Sequence, residues 1–207
     1  MTIIILGPQG CGKGTQADLL AQKFNLQKIE MGAILRQKAK DNTDIAQRLK
    51  AGVQFPDWEI FQYMEEFFKF FDAKQGIILD GFARSIRQAY DLEKVLTELG
   101  RWQETQILYI KISDQEALNR LLKRSICSQC QTLYIGREQK ICSKCGGQII
   151  VRSDDTEDAV KKRLLWFHQN AELAINYFRE KEKLIEINGE QSIEAVHKEI
   201  LKNLNHL

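Results

Sequence analysis

Residues 2–16 constrain this chain more than any other stretch. A β-branched run, Thr2-Ile3-Ile4-Ile5, passes through Leu6 into Gly7-Pro8-Gln9-Gly10-Cys11-Gly12-Lys13-Gly14-Thr15-Gln16, and Asp18-Leu19-Leu20-Ala21 continues with helical character. A strand, a glycine-rich loop and a helix start, in that order, form a phosphate cradle. Glycines let consecutive backbone N–H groups converge on anionic oxygens, the helix dipole adds positive potential, and a lysine brings a point charge to the terminal phosphates. A glycine turn before an ordinary helix would need neither the lysine nor this register. The segment predicts a site for a nucleoside triphosphate, contacted by Gly10, Cys11, Gly12, Lys13, Gly14 and Thr15.

One detail narrows the class. Phosphate loops of the general pattern place Ser or Thr directly after the lysine, where the hydroxyl ligates Mg²⁺. Here Gly14 holds that place and the hydroxyl follows at Thr15. Mg²⁺ would then rest on phosphate oxygens, waters and a carboxylate elsewhere. The Gly-Lys-Gly-Thr ending resembles nucleoside monophosphate kinases, adenylate kinases above all.

The 207 residues suffice for one α/β domain with small insertions. Thirty Lys plus Arg against 28 Asp plus Glu leave a net charge of +2, which argues for no polyanionic partner. No apolar run approaches membrane-spanning length, so neither a nucleic-acid nor a membrane partner is expected. A buried strand from the second residue leaves no room for a secretory signal, and cysteines at metal-like spacing suit a reducing compartment, so a cytoplasmic location is expected. No oligomer seam stands out, and a monomer is the default.

Short apolar runs alternate with longer amphipathic stretches, the pattern of a parallel sheet wrapped by helices. Strands are predicted at 2–6, 27–30, 76–80, 105–112 and 183–187, giving a five-stranded parallel sheet in a three-layer α/β fold. Helices are predicted at 13–24, 32–40, 44–51, 57–71, 85–99, 115–124, 156–180 and 192–204. The stripe Ile60, Met64, Phe67, Phe68 and Phe71 reads as core. Two stretches break the alternation, a helical excursion at 30–58 and a cysteine-rich one at 126–151. The core is then 1–29, 59–125 and 152–207, with the excursions leaving it as lids would.

A second signal is Asp80-Gly81-Phe82-Ala83-Arg84-Ser85-Ile86-Arg87-Gln88 at the end of the 76–80 strand. If that strand neighbours the first, Asp80 stands beside the phosphate loop, where it can hold a Mg²⁺-bound water. Arg84 is suited to a bidentate grip on phosphate oxygens. Alone, the two could be a structural ion pair; beside this loop the functional reading is favoured. The segment matches the adenylate kinase signature Asp-Gly-Phe-Pro-Arg-Thr-x-x-Gln with Ala83 at the proline place. The resemblance covers the whole chain. It implies reversible transfer of the ATP γ-phosphoryl group to AMP, with Gly81 and Arg84 in the acceptor site and Gln88 reading adenine.

The same resemblance assigns further residues. Gly32 and Arg36 match a Thr-Gly-Asp-x-x-Arg pattern in which Arg36 grips the acceptor phosphate. Met31 and Ala33 replace its Thr and Asp, which removes a polar contact near the acceptor nucleoside. The run Gly52-Val53-Gln54-Phe55-Pro56-Asp57 matches a turn in which Val53 and Phe55 line the base pocket, and Trp58 replaces a Glu. Arg120 and Arg124, four apart, are expected on one helical face, the first against the ATP base and the second on phosphates. Arg152 and Arg163 would close on the phosphates from the far side, organised by Asp154 and Asp155. Gln191, after the last strand, matches a segment touching the ATP base. Lys13, Asp80, Arg84, Arg124, Arg152 and Arg163 would thus carry catalysis. His168, His197 and His206 lie outside every motif and read as surface or packing residues.

The third signal is Cys127-x-x-Cys130, eleven residues, then Cys142-x-x-Cys145-Gly146-Gly147. Two such knuckles make a tetrahedral thiolate site, and a hairpin through Leu133-Tyr134-Ile135-Gly136 could span the spacer. A structural Zn²⁺ is favoured over a disulfide or redox pair and over Fe–S ligation, since four cysteines leave no open position for substrate. Many bacterial adenylate kinases carry a zinc-bearing lid of this kind. Cys11 either simply fits its loop or is a thiol activated by Lys13 and the helix start; simple fit is favoured.

Three readings compete. The first is an adenylate kinase using Mg²⁺ and a structural zinc. The second is a monophosphate kinase with shifted acceptor choice, motivated by Met31 and Ala33. The third is a nucleotide-binding regulatory module with little turnover, against which the full set of cations argues. A zinc-ribbon nucleic-acid binder is weaker still, since the cysteine segment lacks a basic and aromatic surface.

Overall fold

The computed structural model describes all residues except 70, 73, 137, 153 and 205–207, so His206 lies outside the described residues. The chain runs β1 (Thr2–Leu6), α1 (Lys13–Phe24), β2 (Gln27–Glu30), α2 (Met31–Lys38), α3 (Thr43–Lys50), α4 (Asp57–Lys69), β3 (Ile77–Asp80) and α5 (Ile86–Glu98). It continues through β4 (Thr105–Lys111), α6 (Asp114–Leu122), β5 (Arg124–Cys127), β6 (Leu133–Ile135), β7 (Ile149–Ile150), α7 (Glu157–Trp166), α8 (Glu172–Glu180), β8 (Leu184–Asn188) and α9 (Ile193–Leu204).

β1, β2, β3, β4 and β8 form a five-stranded parallel sheet in the order β2-β3-β1-β4-β8. The central strands β1, β3 and β4 are buried almost throughout because helices cover both faces, whereas the edge strands β2 and β8 are partly exposed. Side chains alternate along each strand, so Ile4, Leu6, Ile77, Leu79 and Ile107 join one core with Leu92, Leu96 and Phe178 of α5 and α8. Ile3, Ile5, Ile78, Leu108 and Ile110 join the other with Leu20, Leu121, Leu164 and Ile200 of α1, α6, α7 and α9. These are the three expected layers. Leu92 and Leu96 have no exposure, and truncating either to Ala would cost roughly 2–5 kcal/mol.

The order places the phosphate loop at a switch point. From β1 the chain builds toward β3 and β2 on one side and β4 and β8 on the other, so the carboxyl ends of β1 and its neighbours border a crevice.

Two helices differ from expectation. The predicted helix at 115–124 ends at Leu122, and Arg124 instead opens β5. Arg124 pairs with Ile135, and the Gly136 N–H donates to the Lys123 carbonyl at 2.8 Å, pulling the chain into an antiparallel ladder. Arg120 and Arg124 therefore do not share a helical face. The long helix at 156–180 is α7 and α8 joined by a π-helical turn, Phe167–Ala171. The extra residue in that turn rotates the buried stripe: α7 packs Val160 and Leu164 into one core, whereas Phe167, Ala174 and Phe178 enter the other.

The cysteine-rich stretch forms a small sheet in the order β6-β5-β7. The segment expected to be the hairpin, Leu133-Tyr134-Ile135, is the strand β6 itself. The chain reverses within the first knuckle, where Cys127 N–H donates to the Thr132 carbonyl at 2.9 Å. Among the described residues, no helix is long and apolar enough to cross a membrane.

Candidate active site

The phosphate loop hangs between the end of β1 and the first turn of α1. Gly7 takes φ +145, and a Cβ there would lie 2.4 Å from the Ile110 carbonyl oxygen of β4. Gly12 caps α1 at φ +95, a left-handed value that favours glycine. Lys13 Nζ donates to the carbonyls of Gly7 and Pro8, both at 2.7 Å, which holds the ammonium over the loop. Cys11 is 2 % exposed, and burial pushes its thiol pKa up against the opposing charge of Lys13. That opposes an activated thiolate and suits a residue that simply fits.

Asp80 stands where the sequence reading required. β3 lies beside β1 with Ile5 opposite Asp80, and β2 lies on its far side with Glu30 opposite Asp80. A Cβ on Gly14 would meet Asp80 Oδ2 at 3.6 Å, so the carboxylate reaches the start of α1. Burial raises its pKa, with Lys13 opposing and Glu30 reinforcing. A buried carboxylate under-compensated by its neighbours, next to a phosphate loop, fits a divalent cation.

Arg84 follows in the loop after β3, its Nε donating to the Gly81 carbonyl at 2.9 Å. Burial lowers its pKa while Asp80 opposes. Ala83, before it, takes φ +54, a value that proline's ring cannot adopt. The departure from the signature thus has a backbone counterpart.

Two carboxylates tie three arginines together. Asp155, whose side chain has no exposure, accepts from Arg124 Nε and Nη2 at 2.7 and 2.6 Å and from Arg163 Nη2 at 3.1 Å. Asp154 accepts from Arg152 at 2.8 and 3.0 Å and from Arg163 Nη1 at 3.2 Å. Burial alone would raise the Asp154 pKa, but the charges of Arg152 and Arg163 outweigh it and hold it low. Arg124 is lowered by burial, with Asp155 opposing. Arg120, on α6, donates to Glu116 at 2.5 Å and to the Gly189 carbonyl at 2.9 Å. Gln191 donates to the Asn188 carbonyl at 2.9 Å.

A single cleft of about 1240 Å³ collects these groups. Its walls include Gly10 to Thr15, Met31, Arg36, Val53, Phe55, Asp80, Gly81, Arg84, Gln88, Arg120, Arg124, Arg152, Arg163 and Gln191, which is every nucleotide-site residue expected from the sequence.

A family model described as adenylate kinase matches residues 5–183. A curated adenylate kinase of Caldicellulosiruptor saccharolyticus is 37 % identical, the match covering 99 % of each chain. One of Acetivibrio thermocellus is 34 % identical, over 99 % of this chain and 98 % of its own. One of Archaeoglobus fulgidus is 34 % identical, over 97 % and 96 %.

The chain belongs to the adenylate kinase family.

One side of the cleft in this adenylate kinase fold is an apolar slot. Met31 is 2 % and Phe55 8 % exposed, whereas Val53 is 52 % exposed at the rim. The Arg48 guanidinium lies 4.3 Å from the Phe55 ring centroid. At the end of the slot, Gln88 is fixed from two directions. Its Oε1 accepts from the Arg84 N–H at 2.8 Å, and its Nε2 donates to Asp57 Oδ1, also at 2.8 Å. Asp57 accepts from the Ser85 hydroxyl as well, at 2.9 Å. Among the described residues, one amide hydrogen and one lone pair of Gln88 are left without a partner. Trp58 is 63 % exposed, and nothing in the structure explains its replacement of Glu.

Three residues of the cleft region escaped the sequence reading. Asp57, which orients Gln88, closes the Gly52–Asp57 turn, and nothing in that turn's sequence points to Gln88. Glu30 and Lys28 of β2 line the cleft, and only the β2–β3 register, invisible in the sequence, brings them there. Arg36 Nη2 donates to Glu30 Oε1 at 2.6 Å. The histidines stand apart: His168 bridges Asp114 and Glu172, and His197 meets Gln16.

The sulfurs of Cys127, Cys130, Cys142 and Cys145 lie within 4.8 Å of one another. Cys127 and Cys145 are 3.4 Å apart and Cys130 and Cys142 3.5 Å, too far for disulfides. They approach the spacing of about 3.8 Å that a tetrahedral zinc thiolate requires. The Tyr134 hydroxyl at 3.2 Å and the Lys144 N–H at 3.4 Å donate to Cys142 Sγ. Gly146, at φ +71, turns the chain after the second knuckle, its N–H donating to the Cys142 carbonyl at 2.9 Å. The donor set fits a closed, structural metal site.

Proposed function

We propose that this chain catalyses reversible, Mg²⁺-dependent transfer of the γ-phosphoryl group of ATP to AMP, giving two ADP. The observation that carries the reading is the convergence of Lys13 and six arginines on one cleft that also holds an apolar slot ending at a fixed Gln88. ATP phosphates would lie in the loop of residues 10–15, with Arg120 and Gln191 toward its base. AMP would lie in the slot of Met31, Val53 and Phe55, its phosphate on Arg36 and Arg84 and its adenine on Gln88.

The transfer passes through a loose transition state that needs positioning and charge, not a protein nucleophile. Lys13, Arg84, Arg124, Arg152 and Arg163 would supply that charge around the equatorial oxygens. Asp154 and Asp155 set where three of those guanidiniums point. Asp80 is the carboxylate suited to hold Mg²⁺ or its waters beside the phosphate loop, and the ion would neutralise charge on the β- and γ-phosphates. Segments 30–58 and 126–151 would close over the site and keep water from diverting the phosphoryl group. Zn²⁺ on the four cysteines would staple the second of these, which has little apolar core of its own. We take the protein to act as a cytoplasmic monomer without nucleic-acid or membrane partners.

Met31 and Ala33 motivate one alternative, a kinase with shifted acceptor choice, since neither side chain offers a hydrogen bond to the acceptor. An assay of ATP-dependent transfer to AMP, CMP, UMP and GMP separates the two. Preference for AMP supports the first reading, and preference for another acceptor replaces it with the second.

A further inference from the structure

We propose that Glu30 is a resident counter-anion for Arg36, which the acceptor phosphate must displace, and that it thereby sets acceptor affinity. The inference rests on the reading of Arg36 as a phosphate grip. Glu30 ends β2 and precedes α2, and its carboxylate accepts from Arg36 Nη2 at 2.6 Å. The two side chains are about equally half-buried, 29 % and 32 % exposed, at the wall of the cleft. They close over the backbone of Gly32, where a Cβ would lie 3.0 Å from Arg36 Nη1 and 3.3 Å from Glu30 Oε1.

Burial alone would favour protonation of Glu30. Arg36 first, then Lys28 and Arg152, reverse that and hold its pKa below the usual range. A phosphate dianion arriving at Arg36 thus meets an ionised carboxylate on the same guanidinium. In a half-buried cleft the repulsion between them exceeds the benefit of holding Arg36 in place. Lys28 Nζ, 3.7 Å from Glu30 Oε2, offers the released carboxylate another cation. Glu30 is therefore a positioning residue that opposes binding, unlike a brace that assists it, and the two roles predict opposite signs.

The test is calorimetric titration of AMP into the full-length, metal-replete protein, paired with initial rates. Glu30→Gln should tighten AMP about fivefold in Kd and KM, with KM for ATP moving much less. Glu30→Ser should move AMP in the same direction, which guards against a folding defect in either variant. In an Arg36→Ala background the Glu30→Gln gain should disappear. Unchanged or weaker AMP binding in both Glu30 variants would overturn the proposal and make Glu30 a brace. A gain of equal size without Arg36 would overturn the route through Arg36. Failure of the wild-type protein to bind AMP would instead remove the acceptor reading on which the inference rests.

Discussion

Arg124 holds Asp155 through two parallel hydrogen bonds, Nε to Oδ2 at 2.7 Å and Nη2 to Oδ1 at 2.6 Å. The Asp155 side chain has no exposure, and Arg163 shares its Oδ1 at 3.1 Å. Removing the carboxylate would leave two guanidiniums facing each other in a desolvated corner. Asp155→Ala should therefore cost about 3 kcal/mol of stability, read by urea unfolding, and lower transfer activity under conditions where the variant remains folded. A cost below about 0.5 kcal/mol would show that the arginines find other partners.

Stripping the cysteine cluster of metal should affect stability before chemistry. Chelation, or Cys142→Ser, is expected to lower Tm by several degrees, followed by circular dichroism. Transfer should remain measurable well below the new transition. Loss of turnover at an unchanged Tm would assign the cluster a role in the reaction itself.

His168 joins α6 to the π-turn through Asp114 at 2.8 Å and Glu172 at 2.5 Å. The hydrogen bond to Glu172, then that to Asp114, raises its pKa above 6.5. Its stabilisation is fully present below about pH 6.5 and is lost as pH rises through the raised folded value. His168→Gln should therefore lower Tm more at pH 5.5 than at pH 9. The difference should be only about a degree or two because all three groups are largely solvated. Equal shifts at the two pH values would contradict the charged bridge.

Asp57 fixes the amide of Gln88 at 2.8 Å. Asp57→Ala should let that amide turn and blunt the choice between bases. The ratio of kcat/KM for AMP over GMP is expected to fall about tenfold. An unchanged ratio would mean that discrimination resides elsewhere in the slot.

The sequence exposed what depends on local chemistry and hid what depends on long-range register. β1, the phosphate loop and α1 were legible because their hydrophobic run, glycines and lysine each have a local reason to be there. The residues expected at a nucleotide site came from motifs of the resembled family rather than from local chemistry, and the structure brings them to the walls of one cleft. The helix expected to reach Arg124 stops at Leu122 because β6 recruits the following residues, a pairing with a partner eleven residues away. The π-turn was hidden because one inserted residue shifts the phase of the buried stripe from one core to the other while the segments on either side each keep a helical apolar spacing. Glu30 was missed because nothing near it in the chain indicates that it lies opposite Asp80.

The central claim is tested most directly by coupled measurement of ATP-dependent transfer to AMP, with CMP, UMP and GMP in parallel and Arg84→Ala as the comparison. The account predicts AMP-selective turnover that falls by about 10²–10³ in the variant, with its thermal unfolding little changed. Turnover that favours another acceptor, or that survives the loss of Arg84, would contradict it.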